Sequence, residues 1–545
     1  MDFTINRFKG SVPRLADHLG QKTGASLAID CDFSSGCLDS FREPSPYRTV
    51  AEGTKATFQH ECCWHDFKGC VDMAYGSVTC KQAFVTGVED YPLVLTVSTD
   101  DEGNCVTKTR RLGLPCPHTA PSVYVSDLND SAEKDIDGRS YCYQYVNEAG
   151  ERSQLSPGSQ AINMRDGQTA VISGWPVPEE EYGIVKVAIF RAVAAYQKGN
   201  ESSNTSEAAW MFVGETDVNA VSYTDKAWNA DLAIASQDAV VLPPPDGLRG
   251  IVWVESMNCL FGFVGNRIYA SENNQYHNWP HYYDLDDNVC GLVESNGVIY
   301  VATDGRPYVI SGVANCTNAG TRKIVRLPGH LPMVGCGNRR MAKCRAGAVY
   351  PSHKGLVLLS GERPPVLLTW PLYSDKDWQA LRPQTITPVE VDGKLYVFGE
   401  GGSFYMQMSS GPETGWDLDF HCSLSDTGVT DAFVSRQGDF YIVKNGIQYL
   451  WNRGAKKRPH VFRSVEAVAQ SPVGWGAGHL YFTGGTEKIK IELDGRTVLD
   501  RDVLSSRVFR LPMYSAGTRM FVTLSGTGRV SLVSIATAMH DLRSS

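Results

Sequence analysis

Apolar and polar residues alternate along this chain in short runs, such as Tyr141-Cys-Tyr-Gln-Tyr-Val146, Val185-Lys-Val-Ala-Ile-Phe-Arg191 and Trp210-Met-Phe-Val213. The runs are rich in β-branched and aromatic residues and are broken by Asp-Gly, Asn-Gly and Gly-Gly pairs, the sequence form of strands joined by tight turns. An all-β chain with few helices is expected.

A repeat organises the second half. Its unit is a Gly, two residues, an aromatic within a strand, then a turn and a second strand: Gly297-Val-Ile-Tyr300, Gly393-Lys-Leu-Tyr396, Gly438-Asp-Phe-Tyr441 and Gly478-His-Leu-Tyr481. Looser copies are Asn258-Cys-Leu-Phe261, Gly355-Leu-Val-Leu358 and Thr518-Arg-Met-Phe521. The anchors Phe261, Tyr300, Leu358, Tyr396, Tyr441, Tyr481 and Phe521 are spaced by 39, 58, 38, 45, 40 and 40 residues. A period near 40 is that of propeller blades, each a four-stranded sheet whose inner hairpin recurs. Asp304-Gly305, Asn445-Gly446 and Asp494-Gly495 are expected to supply the positive-φ positions of the tight turns. A β-propeller of about six to seven blades is therefore predicted over 242–545, with every anchor packed between blades; a β-sandwich with accidental spacing is the alternative. The 58-residue step is read as a long interblade insertion carrying Arg339, Arg340, Lys343 and Arg345.

Upstream, residues 119–241 read as a small antiparallel β-sandwich-like domain inserted before the propeller. Leu242-Pro-Pro-Pro-Asp-Gly247 reads as a stiff lead-in, because consecutive prolines fix an extended backbone without donors. Residues 1–118 form an N-terminal β region that is expected to contribute outer strands or a closing blade, removing exposed sheet edges.

With 545 residues, 42% hydrophobic and 20% charged, the chain has ample material for a core and too little charge for disorder. Its net charge of −9 argues against a protein whose main task is gripping phosphates. Neither a signal peptide nor a membrane-spanning segment is read from the sequence. The fifteen cysteines are therefore expected to be free thiols in a reducing compartment, buried as small hydrophobes, and the sequons at Asn200 and Asn204 incidental.

Candidate chemistry is sparse. His60-Glu-Cys62-Cys63-Trp-His65, with Cys70 and Cys80 nearby, suggests a metal. Its histidines are five apart rather than four, and adjacent cysteines in a strand would face opposite ways, so buried thiols beside Trp64 are expected instead. Asp284-Leu-Asp286-Asp287 lacks the Gly and Glu of a calcium loop. Glu179-Glu180-Glu181 reads as an exposed loop, and Trp279-Pro280 as a blade corner. No nucleophile elbow, Walker A loop or dinucleotide fingerprint occurs, so no enzyme, no catalytic residue, no metal and no cofactor are expected. One basic cluster stands out: Arg453, Lys456, Lys457, Arg458, His460 and Arg463, after the strand Tyr449-Leu-Trp451. It reads as a solvated hairpin loop or, functionally, as a docking loop for an acidic partner or a contact with DNA.

Four segments carry a family resemblance. Pro13-Arg14-Leu15 through Ala25, Ala28 and Asp30-Cys-Asp-Phe-Ser-Ser-Gly36-Cys-Leu38 to Pro44 resembles the opening of tail nozzle (tail tubular) proteins of short-tailed bacteriophages. Tyr141–Ser159, Leu260–Pro280 and Cys336–Leu356 resemble that family's middle-domain strand and turn, its hairpin ending in Trp-Pro, and its Ser-x-x-Gly-Leu-Val element, in the family's order. The resemblance implies a structural virion protein, a ring (a homohexamer by analogy) below the portal that conducts the genome outward. The partners it implies are further copies of itself, the head-tail adaptor protein, tail fibre or tailspike proteins, and genomic DNA in transit. Assembly would occur in the host cytoplasm. A β-propeller module binding a receptor or glycan is the alternative.

Overall fold

The computed structural model describes residues 2–12, 23–76, 81–126, 136–165, 168–193, 210–226, 241–312, 322–335, 337–409, 417–512 and 515–543. Strand accounts for 55% and helix for 4%, against 20–25% strand in an average globular chain. The chain is an all-β propeller carrying a small inserted sandwich. Among the described residues no helix is long and apolar enough to cross a membrane. Two compact units are formed, one of residues 1–60, 64–71 and 287–545 and one of 61–63 and 72–286. These boundaries differ from those expected at 118/119 and 241/242.

In the second unit, strands Asp72–Tyr75, Gln82–Thr86, Leu93–Thr99 and Cys105–Arg111 make one four-stranded meander, and Arg249–Val254, Cys259–Val264, Arg267–Ala270 and His281–Asp284 another. Phe84, Val94, Leu248, Ile251 and Leu260 share one core, and the Ile251 N–H donates to Thr86 Oγ1 at 3.3 Å. The two meanders, more than 130 residues apart in sequence, are thus neighbours. Between them in sequence lies the sandwich: a three-stranded sheet (Ser122–Ser126, Thr169–Ser173, Ser222–Asp225) faces a four-stranded one (Ile162–Arg165, Ile136–Asn147, Ile184–Val193, Met211–Asp217) across Tyr141, Tyr143, Tyr145, Ile172 and Ile189. The proline run is tied down: Asp246 pairs with Arg111 at 2.5 Å, and the Gly247 N–H bonds the Asp90 carbonyl.

Among the described residues the first unit contains four meanders, at 289–326, 342–367, 387–424 and 429–450. The last has only three strands of its own and is completed by Ser45–Thr49, antiparallel to Ile447–Leu450. Pro46 is tolerated there because the strand is at the sheet edge. Adjacent blades pack face to face: Ala348 and Tyr350 share a core with Tyr300 and Val309, while Val349, on the same strand, points into the core of the next blade with Leu395 and Val397. Burial on both faces explains why Gly347–Ser352 is apolar at nearly every position. Asn296-Gly297 and Asp392-Gly393, each with two positive φ angles, form the two-residue turns into the second strands.

The repeat departs from expectation at three anchors. Leu358 is buried but sits on the third strand of its blade; the second strand carries Gly347-Ala-Val-Tyr350, a copy of the Gly-x-x-aromatic unit. With Tyr350 as the anchor, the spacings from Tyr300 and to Tyr396 are 50 and 46, and the 58-residue step disappears. Tyr481 and Phe521 do not anchor blades. Tyr481 is 48% exposed, and Gly478 lies inside strand Ala477–Thr483, where a Cβ would meet the Phe509 ring at 2.5 Å; that glycine serves close packing, not a turn. Phe521 is half-buried in the eleven-residue strand Ala516–Gly526. Asp304-Gly305 is not a positive-φ turn either; Gly305 leaves room for the Asp287 carboxylate, which accepts from Tyr308 Oη at 3.0 Å.

Residues 460–536 instead join the N-terminal strands. Asp2–Ile5 pairs Arg529–Ala536, which pairs Ala477–Thr483; Ala25–Ile29 pairs His460–Ser464, which leads on to Ala516–Gly526, Glu487–Leu493 and Arg496–Val503. Phe3, Ile5, Phe8, Phe462, Ile489, Leu524, Val533 and Ile535 fill one core. His421 is buried outside that core, its ring against Tyr373 and Phe404 and its Nδ1 3.0 Å from Ser11 Oγ. Burial pulls its pKa down to about 4, against a partial offset from the Ser11 carbonyl. An unfolded His titrates near 6.5, so the unfolded chain binds more protons between these values, and the stability that neutral His421 contributes above pH 6.5 is lost as pH falls toward 4. The urea midpoint should fall over that window, and His421→Asn should flatten that part of the profile; an unchanged profile contradicts the assignment.

Candidate functional site

The basic segment after Trp451 is the one site the sequence singled out, and the fold takes it apart. Arg458 is buried, its guanidinium on both oxygens of Asp426 (2.6 and 3.2 Å) and 3.5 Å from Asp30. Trp451 Nε1 donates to the same Asp426 carboxylate at 3.2 Å, and the Arg458 N–H donates to the Phe41 carbonyl at 2.8 Å. Arg458 is therefore a structural cation, not a docking residue. Lys457 pairs with Asp39 at 2.5 Å. Arg463 reaches Glu492 at 3.4 Å and lies over the Phe521 ring at 3.9 Å, which accounts for that ring's place. Lys490, then Arg463, hold the Glu492 carboxyl below its usual range. His460 is buried.

Two of the five predicted docking cations, Arg453 and Lys456, remain exposed. A third cation joins them that the sequence could not place. Arg42, exposed, donates to the Gly454 and Ala455 carbonyls at 3.4 and 3.2 Å, while its N–H bonds Asn452 Oδ1 at 2.6 Å. The Gly454 N–H bonds the Glu43 carbonyl at 2.6 Å, an approach too close for any Cβ at 454. No local signal links positions about 410 residues apart.

Arg339 and Arg340 likewise turn inward. Arg339 binds Asp431 through Nε and Nη2, both at 3.0 Å, between the Phe58 and Phe433 rings at 4.3 and 4.6 Å. Arg340 donates to the Thr385 carbonyl at 2.7 Å. Lys343 and Arg345 lie at the hairpin of the blade 342–367.

Other polar clusters among the described residues are held within the fold. Ser40 Oγ lies 2.8 Å from His460 Nδ1, and His460 Nε2 3.5 Å from Glu487 Oε2, the residue types of a hydrolytic triad. The His460 and Glu487 side chains are 0% exposed, Ser40 Oγ donates to the Gly526 carbonyl, and the Gly528 N–H occupies Glu487 Oε1. A nucleophile needs an open approach to its substrate, and this serine faces inward. Glu181, expected in a free loop, accepts from Tyr91 Oη (2.7 Å) and Arg111 (2.9 Å). The Tyr91 hydrogen bond is the main cause of its lowered pKa, while Tyr91 itself is pushed up to about 12. Asp284 chelates Arg267 at 2.5 and 3.0 Å. Trp279 is buried, its Nε1 on the Tyr276 carbonyl at 2.8 Å.

The cysteines correct an expectation. Cys62 is bonded to Cys105, and Cys70 also lies in a disulfide; Cys80 lies outside the described residues. Cys62 occupies a turn rather than a strand, so the alternation that would separate it from Cys63 does not apply, and the sulfurs of Cys62, Cys63 and Cys105 all lie within 4.8 Å of one another.

The resemblance segments report framework as well. Ser153, Ser156 and Ser159 each give an N–H to the carbonyl, and a hydroxyl oxygen to the N–H, of Tyr145, Tyr143 and Tyr141 in turn. A serine every third residue thus sutures an irregular segment to a regular strand. Ser352 Oγ donates to the Gly355 carbonyl at 2.8 Å, and its own carbonyl accepts from Trp378 Nε1 at 2.9 Å. Pro13–Leu15 and Cys336 lie outside the described residues.

No family model and no curated protein matches the chain. Among solved structures it is similar to BamB from Moraxella catarrhalis (10% identity, 61% of this chain and 96% of that one, TM-score 0.25) and to Saccharomyces cerevisiae Sqt1 (11%, 75% and 98%, TM-score 0.28). It is also similar to BBS1N in complex with ARL6DN (15%, 52% and 87%, TM-score 0.25). At these values the fold rests on the strand order above, and no function is drawn from the likeness. The chain is a β-propeller module.

Proposed function

We propose that this propeller is a structural, non-catalytic subunit of a virion tail, a nozzle ring through which the genome leaves. The observation that carries the reading is the ordered set of four sequence segments resembling tail nozzle proteins. The described parts of these segments serve as framework, which is what a resemblance in fold and assembly role, rather than in chemistry, requires. Subunits of such a ring meet through heterologous contacts that close on themselves, six by analogy. Head-tail adaptor, fibre or tailspike proteins and transiting DNA are its partners, and the host cytoplasm is where it assembles.

The charge balance supports this reading. A conduit must pass phosphates without holding them, and each Lys or Arg contact adds salt-dependent affinity. The acidic excess belongs on the channel wall, and Arg42, Arg453 and Lys456 belong at a junction with another tail protein. A propeller binding module is the second reading, favoured by the fold alone. Labelled-virion cryo-microscopy separates them: a closed ring in the tail supports the nozzle, and a single copy or a location outside the tail ends it. Reversing Arg42, Arg453 and Lys456 to Glu should impair tail assembly with the fold intact, because none of the three is buried. Arg458 is left out of that variant, since its reversal would unfold the protein. Normal assembly with slow ejection would place these cations on the channel instead.

A further inference from the structure

We propose that Cys62, Cys63 and Cys105 form a disulfide-exchange site, in which the Cys105 sulfur pairs alternately with two adjacent thiols. The bonded pair is Cys62–Cys105, with Cα atoms 6.2 Å apart, inside the span a disulfide bridges. Cys63 is a free, half-buried thiol whose sulfur lies within 4.8 Å of both bonded sulfurs. A third sulfur at this range needs only a side-chain rotation to attack. The turn at Glu61-Cys62 is what brings neighbouring residues to one side, and Cys105 opens the strand Cys105–Arg111.

The step balances without any outside oxidant. The Cys63 thiolate, its proton shed to water, attacks Cys105 Sγ; the Sγ63–Sγ105 bond forms as Sγ62–Sγ105 breaks. The electron pair leaves on Cys62, which takes up a proton. One disulfide and one thiol stand on each side, so the cross-link survives while its partner changes. The surroundings favour the internal thiol over an external one. Glu61 precedes the pair, and the turn Asp100–Asn104, with Asp100 and Glu102, leads directly into Cys105. The Asp100 carboxyl is held below its usual range chiefly by the Asn104 N–H, so it stays charged. Anionic thiols such as glutathione are repelled from such a site.

The test maps disulfides in the purified full chain after equilibration in a thiol–disulfide buffer, acid quenching and alkylation, with fragmentation between residues 62 and 63. The wild type should yield both the Cys62–Cys105 and Cys63–Cys105 peptides, the minor at about a tenth or more of the major. Cys62→Ser should keep Cys105 bonded, now to Cys63, and Cys63→Ser should keep Cys62–Cys105. Alkylation of Cys105 in correctly folded Cys62→Ser would overturn the proposal. Should that variant fail to fold, the wild-type map decides alone, and a single Cys62–Cys105 isomer overturns it.

Discussion

Arg458→Ala should cost the folded chain about 3–5 kcal/mol, the loss expected when one partner of a buried ion pair is removed and the other charge is left uncompensated. Asp426 and Asp30 are both buried and both face the guanidinium, at 2.6 and 3.5 Å. Asp426 would retain one donor, Trp451 Nε1. The position also fixes chain course: through the Arg458 backbone and Asp30, the segment 453–463 is held to N-terminal residues some 400 positions away. The urea midpoint at fixed pH is the readout. Arg458→Met with Asp426→Asn should lose less than Arg458→Ala alone, because the closer of the two carboxylates gives up its charge with the cation and only Asp30 stays charged. A loss under about 1 kcal/mol for Arg458→Ala, the worth of a surface pair, would return this residue to the docking surface.

The contrast between Arg458 and Arg453 shows what the sequence can carry. A charge run is local and legible; which of its members finds a buried carboxylate depends on strands contributed from the other end of the chain. The same division holds for the fold. Asn296-Gly297 and Asp392-Gly393 dictate their turns through backbone preference alone, so the blade hairpins they open are readable. The closing strand Ser45–Thr49 is not, because nothing near Pro46 encodes Tyr449 as its partner. Gly478 misleads for a physical reason: glycine permits both a positive φ and a close approach, and the pattern Gly-x-x-aromatic does not say which is in use. The Cys62–Cys105 bond spans 43 residues, and spacing alone does not set a disulfide partner.

Tyr350→Ala should destabilise by about 3–5 kcal/mol, whereas Tyr481→Ala should stay within roughly 0.5 kcal/mol. Tyr350 is 0% exposed, packed between blades with Tyr300, Val309 and Val357, and its Oη donates to the Leu331 carbonyl at 2.9 Å. Burial pushes its hydroxyl pKa far above the usual value, so the group stays a neutral donor. Truncation removes both the ring and that bond, and the packed blades on either side restrict collapse of the cavity. Tyr350→Phe isolates the hydrogen bond and should cost about 1 kcal/mol, the net worth of a typical hydrogen bond, since the Leu331 carbonyl is only part-buried. Tyr481 emerges on the outer face of its strand, where Leu480 and not Tyr481 enters the core. If the repeat ran as the raw spacing suggests, Tyr481 would be the costlier loss and Tyr350 an ordinary strand residue. Equal costs at the two positions, or the reverse order, would show that the blade register drawn through Gly347-Ala-Val-Tyr350 is wrong.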